Sequence, residues 1–193
     1  MSKFLLSLLF CSVRDLISLS FSVRIASHES RSLSYLALIR DSMAISLDRY
    51  RSQLDDNAAP DTVVQVNTLR TTAVQLMQRL EAEHVSAQPH SWMPDCLVIS
   101  GTGNLEQLPS FKEGLFYVQD AAAKLSVLCA QLRENSRVLD CCAAPGGKSF
   151  AAAIAMNGTG SVQSCDVHSH KISLIQNGAQ RLGISNLSAC VQD

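Results

Sequence analysis

One stretch constrains this 193-residue chain more than any other: Leu139-Asp140-Cys141-Cys142-Ala143-Ala144-Pro145-Gly146-Gly147-Lys148-Ser149. A short β-type run, Arg137-Val138-Leu139, precedes it, and the helix-forming Phe150-Ala151-Ala152-Ala153-Ile154-Ala155-Met156 comes after it. Strand, small-residue turn and helix, in that order, place backbone N–H groups where a cofactor can lie against them. Gly146 and Gly147 allow the backbone to approach a ligand closely, and Pro145 stiffens the turn entering the helix. Asp166 closes the next strand-like run 26 residues after Asp140, near the offset at which an acid accepts from a ribose diol. A rival reading is a nucleoside triphosphatase, because Gly147-Lys148-Ser149 matches the end of a P-loop. That loop needs a glycine where Cys142 stands, and Pro145 would sit among its backbone donors without an N–H.

The pattern around the turn is regular. Leu115-Phe116-Tyr117-Val118 opens a unit in which Asp120 caps a helix over 121–132. Beyond the turn, Gly158-Thr159-Gly160 closes its helix, and Ser161-Val162-Gln163-Ser164-Cys165 reads as a strand. Ile172, Ile175, Ala179 and Leu182 share a helix face that Gly183 ends, and Leu187-Ser188-Ala189-Cys190-Val191 is a third strand. This β-α-β-α-β order is half of a doubly wound sheet.

Upstream lies a smaller α/β unit. Thr62-Val63-Val64-Gln65-Val66 is β-branched, Thr72 with Gln75 forms a capping box, and Leu97-Val98-Ile99 is a second short strand. The capped helix presents Ala73, Leu76, Met77 and Leu80. Residues 1–55 read as a helical lead in which Leu36, Ile39, Met43, Leu47, Tyr50 and Leu54 share a face. The turn-rich Asp55-Asp56-Asn57-Ala58-Ala59-Pro60-Asp61 separates that lead from the small α/β unit. The expected organisation is therefore 1–55, 56–112 and 113–193.

Charge gives no case for nucleic acid by itself: the net charge is −1, and no segment forms a basic patch. Seven cysteines without a C-x-x-C pair speak against a disulfide framework or zinc site and for reduced thiols in a cytoplasmic protein. The apolar run Phe4–Cys11 has the outline of a signal-peptide core, but Arg14 and Asp15 interrupt it and no A-x-A site comes after it. It is too short to span a bilayer, so no membrane partner is expected. His168 and His170 lack a third ligand and read as solvated residues at a helix start, so no metal is expected. Trp92 and Phe111 read as core residues ahead of RNA-stacking ones.

The wording of the turn resembles motif I of the Sun/RsmB-type RNA cytosine-5 methyltransferases, D-x-C-A-A-P-G-G-K-[ST]. The likeness continues upstream, where Val66-Asn67-Thr68-Leu69-Arg70 resembles R-V-N-T-L-K, with Gln65 in place of the usual arginine. Gly114-Leu115-Phe116-Tyr117-Val118-Gln119-Asp120-Ala121-Ala122 resembles G-x-x-x-V-Q-D-x-A-A. The resemblance implies a partial Rossmann-like α/β sheet of the class I S-adenosylmethionine-dependent methyltransferases, preceded by a small RNA-binding-type α/β domain. It implies the cofactor S-adenosylmethionine, held by Cys142, Ala143, Ala144, Pro145, Gly146, Gly147 and Lys148. Asp166 would hold its ribose, and Asp193, at the end of the third strand, would approach its adenine. RNA, small-subunit ribosomal RNA in particular, would be the substrate. The family's catalytic cysteines lie in P-C and T-C-S motifs, which these 193 residues do not contain. No catalytic residue is therefore assigned here, and the expectation is an incomplete fragment, inactive alone. A non-catalytic RNA-binding module is the reading from another class; it predicts RNA affinity independent of cofactor.

Overall fold

The structure, a computed structural model, describes residues 62–101 and 103–192. The expectations for the helical lead, for the break at 55–61 and for Asp193 lie outside the described residues. Two sheets carry the architecture. The first contains β1 (Thr62–Val66), β2 (Ser86–Pro89), β3 (Cys96–Ser100) and β4 (Phe116–Val118), antiparallel in the order β2-β3-β1-β4. Helix α1 (Ala73–Ala82) covers it, and its start is set chemically. The Thr72 hydroxyl accepts from the Gln75 amide at 3.3 Å, and the Gln75 side chain accepts from the Thr72 amide at 3.1 Å. This reciprocal cap satisfies two of the helix's orphan donors. Leu76 and Leu80 then pack against Val64, Val66, Leu97, Ile99 and Phe116 as one apolar core.

The strand Phe116–Val118, in the run that the sequence reading used to open the third unit, is part of the first sheet. It pairs with β1, Val64 opposite Val118 and Val66 opposite Phe116, and so completes that sheet rather than opening the third unit. The physical reason is its apolar face: Phe116 is fully buried in the first core. A short helix, α2 (Pro109–Lys112), leads into it. Helix α3 (Ala121–Cys129) comes next, with the Asp120 carboxylate accepting from the Ala122 amide at 2.7 Å. It stops short of the expected residue 132 because Gln131 takes a left-handed conformation, φ +48°.

The second sheet is parallel: β5 (Arg137–Asp140), β6 (Ser161–Asp166) and β7 (Leu187–Val191), in the order β5-β6-β7. This is the first-second-third adjacency of half a doubly wound sheet, and α4 (Gly147–Ala155) and α5 (Ser169–Leu182) are its crossovers. Val138, Val162, Phe150, Met156, Ile172, Ile175, Ala179 and Leu182 make its core. Gly183, φ +70°, ends α5 as a left-handed cap.

Several polar side chains tie the two sheets together at a seam. Asn67 is fully buried, and its Nδ2 donates to the carbonyls of Gly114 at 2.9 Å and Leu182 at 2.8 Å. Its backbone amide donates to Leu115 at 2.9 Å. Arg181 Nη1 donates to the carbonyls of Phe111 at 2.6 Å and Phe116 at 3.0 Å, and its guanidinium lies 3.7 Å from the Phe111 ring centre. Arg70 donates to the Glu113 carbonyl. The C-terminal end of α5 is thereby pinned to the loop before β4. Gly114 makes this approach feasible, since a Cβ there would stand 2.0 Å from the Arg181 carbonyl oxygen.

Candidate functional site

The site forms at the carboxyl ends of β5 and β6, where open α/β sheets bind their ligands. Asp140 ends β5, and both of its oxygens organise the turn. Oδ1 accepts from the Cys142 amide at 3.3 Å, and Oδ2 accepts from the Ser149 hydroxyl at 2.8 Å. Ser164 Oγ, on β6, donates in turn to Ser149 Oγ at 2.9 Å, and both serines are fully buried. A relay of three polar groups thus fixes the first turn of α4 against the sheet. Gly146 precedes that helix with φ +111°, a conformation that glycine adopts readily.

The two glycines differ from the sequence reading in one respect. A Cβ on Gly146 would lie 2.4 Å from Phe150 Cζ, and one on Gly147 would lie 3.0 Å from Gln119 Nε2. The space left by the missing side chains is filled by these protein groups. Phe150 also needs Gly178 on α5, whose Cβ would stand 2.5 Å from the ring. Gln119, which sequence reasoning did not single out, comes directly after β4 and links the first sheet to the turn. Its backbone oxygen accepts from Gln65 Nε2 at 2.9 Å. Gln65, in the place of the expected arginine, is fully buried and also donates to Cys96 Sγ at 3.2 Å. Only the likeness of Val118-Gln119-Asp120 to the family's V-Q-D run hinted at such a role.

Asp166 is buried beside the turn. Its Oδ2 accepts from the Ala144 amide at 3.2 Å, and Oδ1 accepts from the His168 amide at 3.0 Å and contacts His168 Nδ1 at 3.2 Å. The His168 amide above all, then its ring, the Ala144 amide and Lys171, hold this carboxyl below the ordinary carboxylate range against the opposing effect of burial. Asp166 is therefore an anion at neutral pH, with acceptor capacity left on Oδ2. Next to it Val167 is 53% exposed, an apolar surface facing water beside a charged one. His168 and His170 are exposed as expected, their rings 5.6 Å apart, and no group of three metal-binding side chains occurs among the described residues.

Cys142 and Pro145 are exposed, Ala143 is buried, and Ala144, Gly147 and Lys148 are half-buried. The Ala143 amide donates to the Cys165 carbonyl at 2.9 Å. With Ala144 committed to Asp166 and Pro145 carrying no N–H, three consecutive residues offer no donor to a phosphate, which weighs against the P-loop alternative. Trp92 and Phe111 are both half-buried against apolar clusters.

Residues 127–193 match the family model for the 16S rRNA methyltransferase RsmB/F, and residues 51–106 match the ferredoxin-like domain of RsmF/B-like methyltransferases. Over these two stretches the chain is similar to the RsmB/F methyltransferases. A probable ribosomal RNA small subunit methyltransferase B of Bacillus subtilis is 31% identical over 134 residues, which are 69% of this chain and 30% of that protein. The 25S rRNA (cytosine-C(5))-methyltransferase NSUN5 of Arabidopsis thaliana is 28% identical over 67% of this chain and 23% of its own length. Among solved structures, a methyltransferase homolog protein from Pyrococcus horikoshii aligns with a TM-score of 0.62 at 25% identity, covering 68% of this chain and 44% of that one. NSun6 from the same organism, solved with SFG, shares the fold, with a TM-score of 0.65 at 15% identity over 69% of this chain and 58% of its own. The chain spans about 30% of the length of the curated RsmB relatives it matches. Among the described residues no helix is long and apolar enough to cross a membrane.

Proposed function

We propose that the turn Cys142–Lys148 and Asp166 bind S-adenosylmethionine, and that the chain serves an RNA cytosine-5 methyltransferase acting on small-subunit ribosomal RNA. The observation that carries this reading is the Asp166 carboxylate, anionic, buried and tied to the turn through the Ala144 amide. The residues present fit the group. Asp166 Oδ2 accepts a ribose hydroxyl, the exposed face of Val167 suits an adenine ring, and the first amides of α4 suit the carboxylate of the methionine portion. Asp193 is proposed to lie near the adenine. When bound, the cofactor supplies an electrophilic methyl group to a nucleophilic carbon of the substrate.

The chain's own residues position rather than react. Asp140, Ser149 and Ser164 hold the turn, and Asp166 orients the ribose. Burial pushes the Cys96 and Cys165 thiols up to about 11, so both are protonated at neutral pH and unsuited to nucleophilic attack on cytosine. The family's reaction, in which a cysteine thiolate adds to cytosine C6 and activates C5, draws on none of the groups assigned here.

The test is a calorimetric titration of the protein with S-adenosylmethionine and, separately, with ATP and magnesium. Heat of binding is expected with S-adenosylmethionine alone. Magnesium-dependent ATP binding without a response to S-adenosylmethionine would overturn the reading.

A further inference from the structure

A row of thiols crosses the second sheet at the level of the proposed cofactor site. Cys165 on β6 and Cys190 on β7 are register partners in neighbouring parallel strands, and their sulfurs lie 3.6 Å apart. Cys141 comes directly after Asp140, whose register partner is Ser164, so a third thiol lies next along the same row. We propose that Cys165 and Cys190 are an oxidation site: a peroxide converts them to a disulfide that links β6 to β7 beside Asp166, and a thiol reductant restores them.

The geometry favours this pair. Residues in register on adjacent parallel strands project to the same face, and strand spacing is about 4.8 Å. That spacing falls within the Cα separation of roughly 4.4–6.8 Å that a disulfide bridges. The sulfurs are already in contact, so closing to bonding distance needs side-chain rotation and a small approach of the strands. Cys190 is half-buried and Cys165 is buried, which sets the order of events. The Cys190 sulfur attacks a peroxide oxygen, the O–O bond breaks, and a sulfenic acid and one water form. The Cys165 thiol, already in contact with that sulfur, then displaces the sulfenic hydroxyl and passes its proton to it, so that the S–O bond breaks and a second water leaves. Two thiols lose two protons and two electrons, and one hydrogen peroxide becomes two waters.

The consequence reaches the acid through one residue. Cys165 Sγ donates to Gln192 Oε1 at 3.4 Å, and the Gln192 amide donates to the Asp166 carbonyl at 3.2 Å. A disulfide removes the S–H donor and draws β7 toward β6 at Asp166 itself. Binding of S-adenosylmethionine should weaken severalfold on oxidation; this consequence rests on the proposed cofactor reading, whereas formation of the disulfide does not.

The sequence makes the test clean. Trypsin leaves Cys165 alone between Lys148 and Lys171, Cys190 alone after Arg181, and Cys141 with Cys142 between Arg137 and Lys148. The full chain is treated with a small molar excess of hydrogen peroxide, alkylated, digested without reductant and mapped by mass spectrometry. The expected result is a peptide pair joining Cys165 to Cys190, lost on dithiothreitol treatment and absent from Cys190→Ser. A link from Cys165 to Cys141 or Cys142, or Cys190 oxidised while Cys165 stays alkylated, would overturn the proposal. Calorimetry on reduced and oxidised protein reads the consequence. Equal affinities would overturn the coupling to Asp166, while Cys190→Ser should bind as the reduced parent does before and after peroxide. A reduced protein that binds no S-adenosylmethionine refutes the cofactor reading instead, and the peptide map still decides the disulfide.

Discussion

At the scale of single residues, the decisive group is Asp166, and its surroundings limit what it can do. Three protein donors already approach its two oxygens, two of them from His168. In the proposed binding mode a ribose diol meets one open acceptor on Oδ2 and reaches Oδ1 only if the exposed imidazole turns away. A hydrogen bond to a charged acceptor contributes about 1.5–3 kcal/mol, so Asp166→Ala should weaken S-adenosylmethionine binding roughly tenfold or more. The same change strands the Ala144 and His168 amides, so the variant's melting temperature is measured beside its dissociation constant. Undiminished affinity in a folded variant would remove the ribose assignment. The placement of an acid at the end of β6, beside the turn, was legible in the sequence because its offset from the glycine turn is a local signal. The reason for the glycines was not: Phe150 and Gln119 fill the space beside them, and both contacts arise only on folding.

At the scale of elements, legibility depended on how far each one is set by its own sequence. The capped start of α1, the buried face Ile172, Ile175, Ala179 and Leu182 of α5, and the bounds of β7 all came from local chemistry and periodicity. Strand β2 did not, because Ser86-Ala87-Gln88-Pro89 has neither β-branched residues nor alternation; it exists through its pairing with β3. Strand β4 lies in the run that the sequence reading used to open the third unit, but neither its strand character nor its partner was read there. The residue that fixes its place is Asn67, whose amide ties both the loop before β4 and the end of α5. Asn67→Ala would leave two buried carbonyl oxygens without a donor, a loss of about 2–4 kcal/mol. The urea midpoint should fall accordingly, and an unchanged midpoint would show that the seam is held by Arg181 and Arg70 instead.

At the scale of the whole molecule, the seam decides whether two cores unfold as one, and alkaline pH reads this out. Cys96 belongs to the first sheet and Cys165 to the second; burial pushes both thiols from 9.0 up to about 11. Burial also raises the Tyr117 phenol, which lies between the cores. In each case the folded state holds a proton that the unfolded chain releases. The stability that this retention implies is complete below pH 9 and is lost as pH rises toward 11. Lys124 acts with the opposite sign, since burial lowers its pKa and the unfolded chain binds the extra proton. Among the described residues four raised groups, Cys129 included, against the lowered Lys124 and Arg181 give a net fall in stability through this window. Urea midpoints measured from about pH 8 to 10.5 should decline in a single transition, because Asn67 and Arg181 couple the sheets. Replacing either Cys96 or Cys165 by alanine should flatten that decline in the one transition. If each replacement instead flattened a separate transition, the two cores would be independent and the polar seam would not couple them.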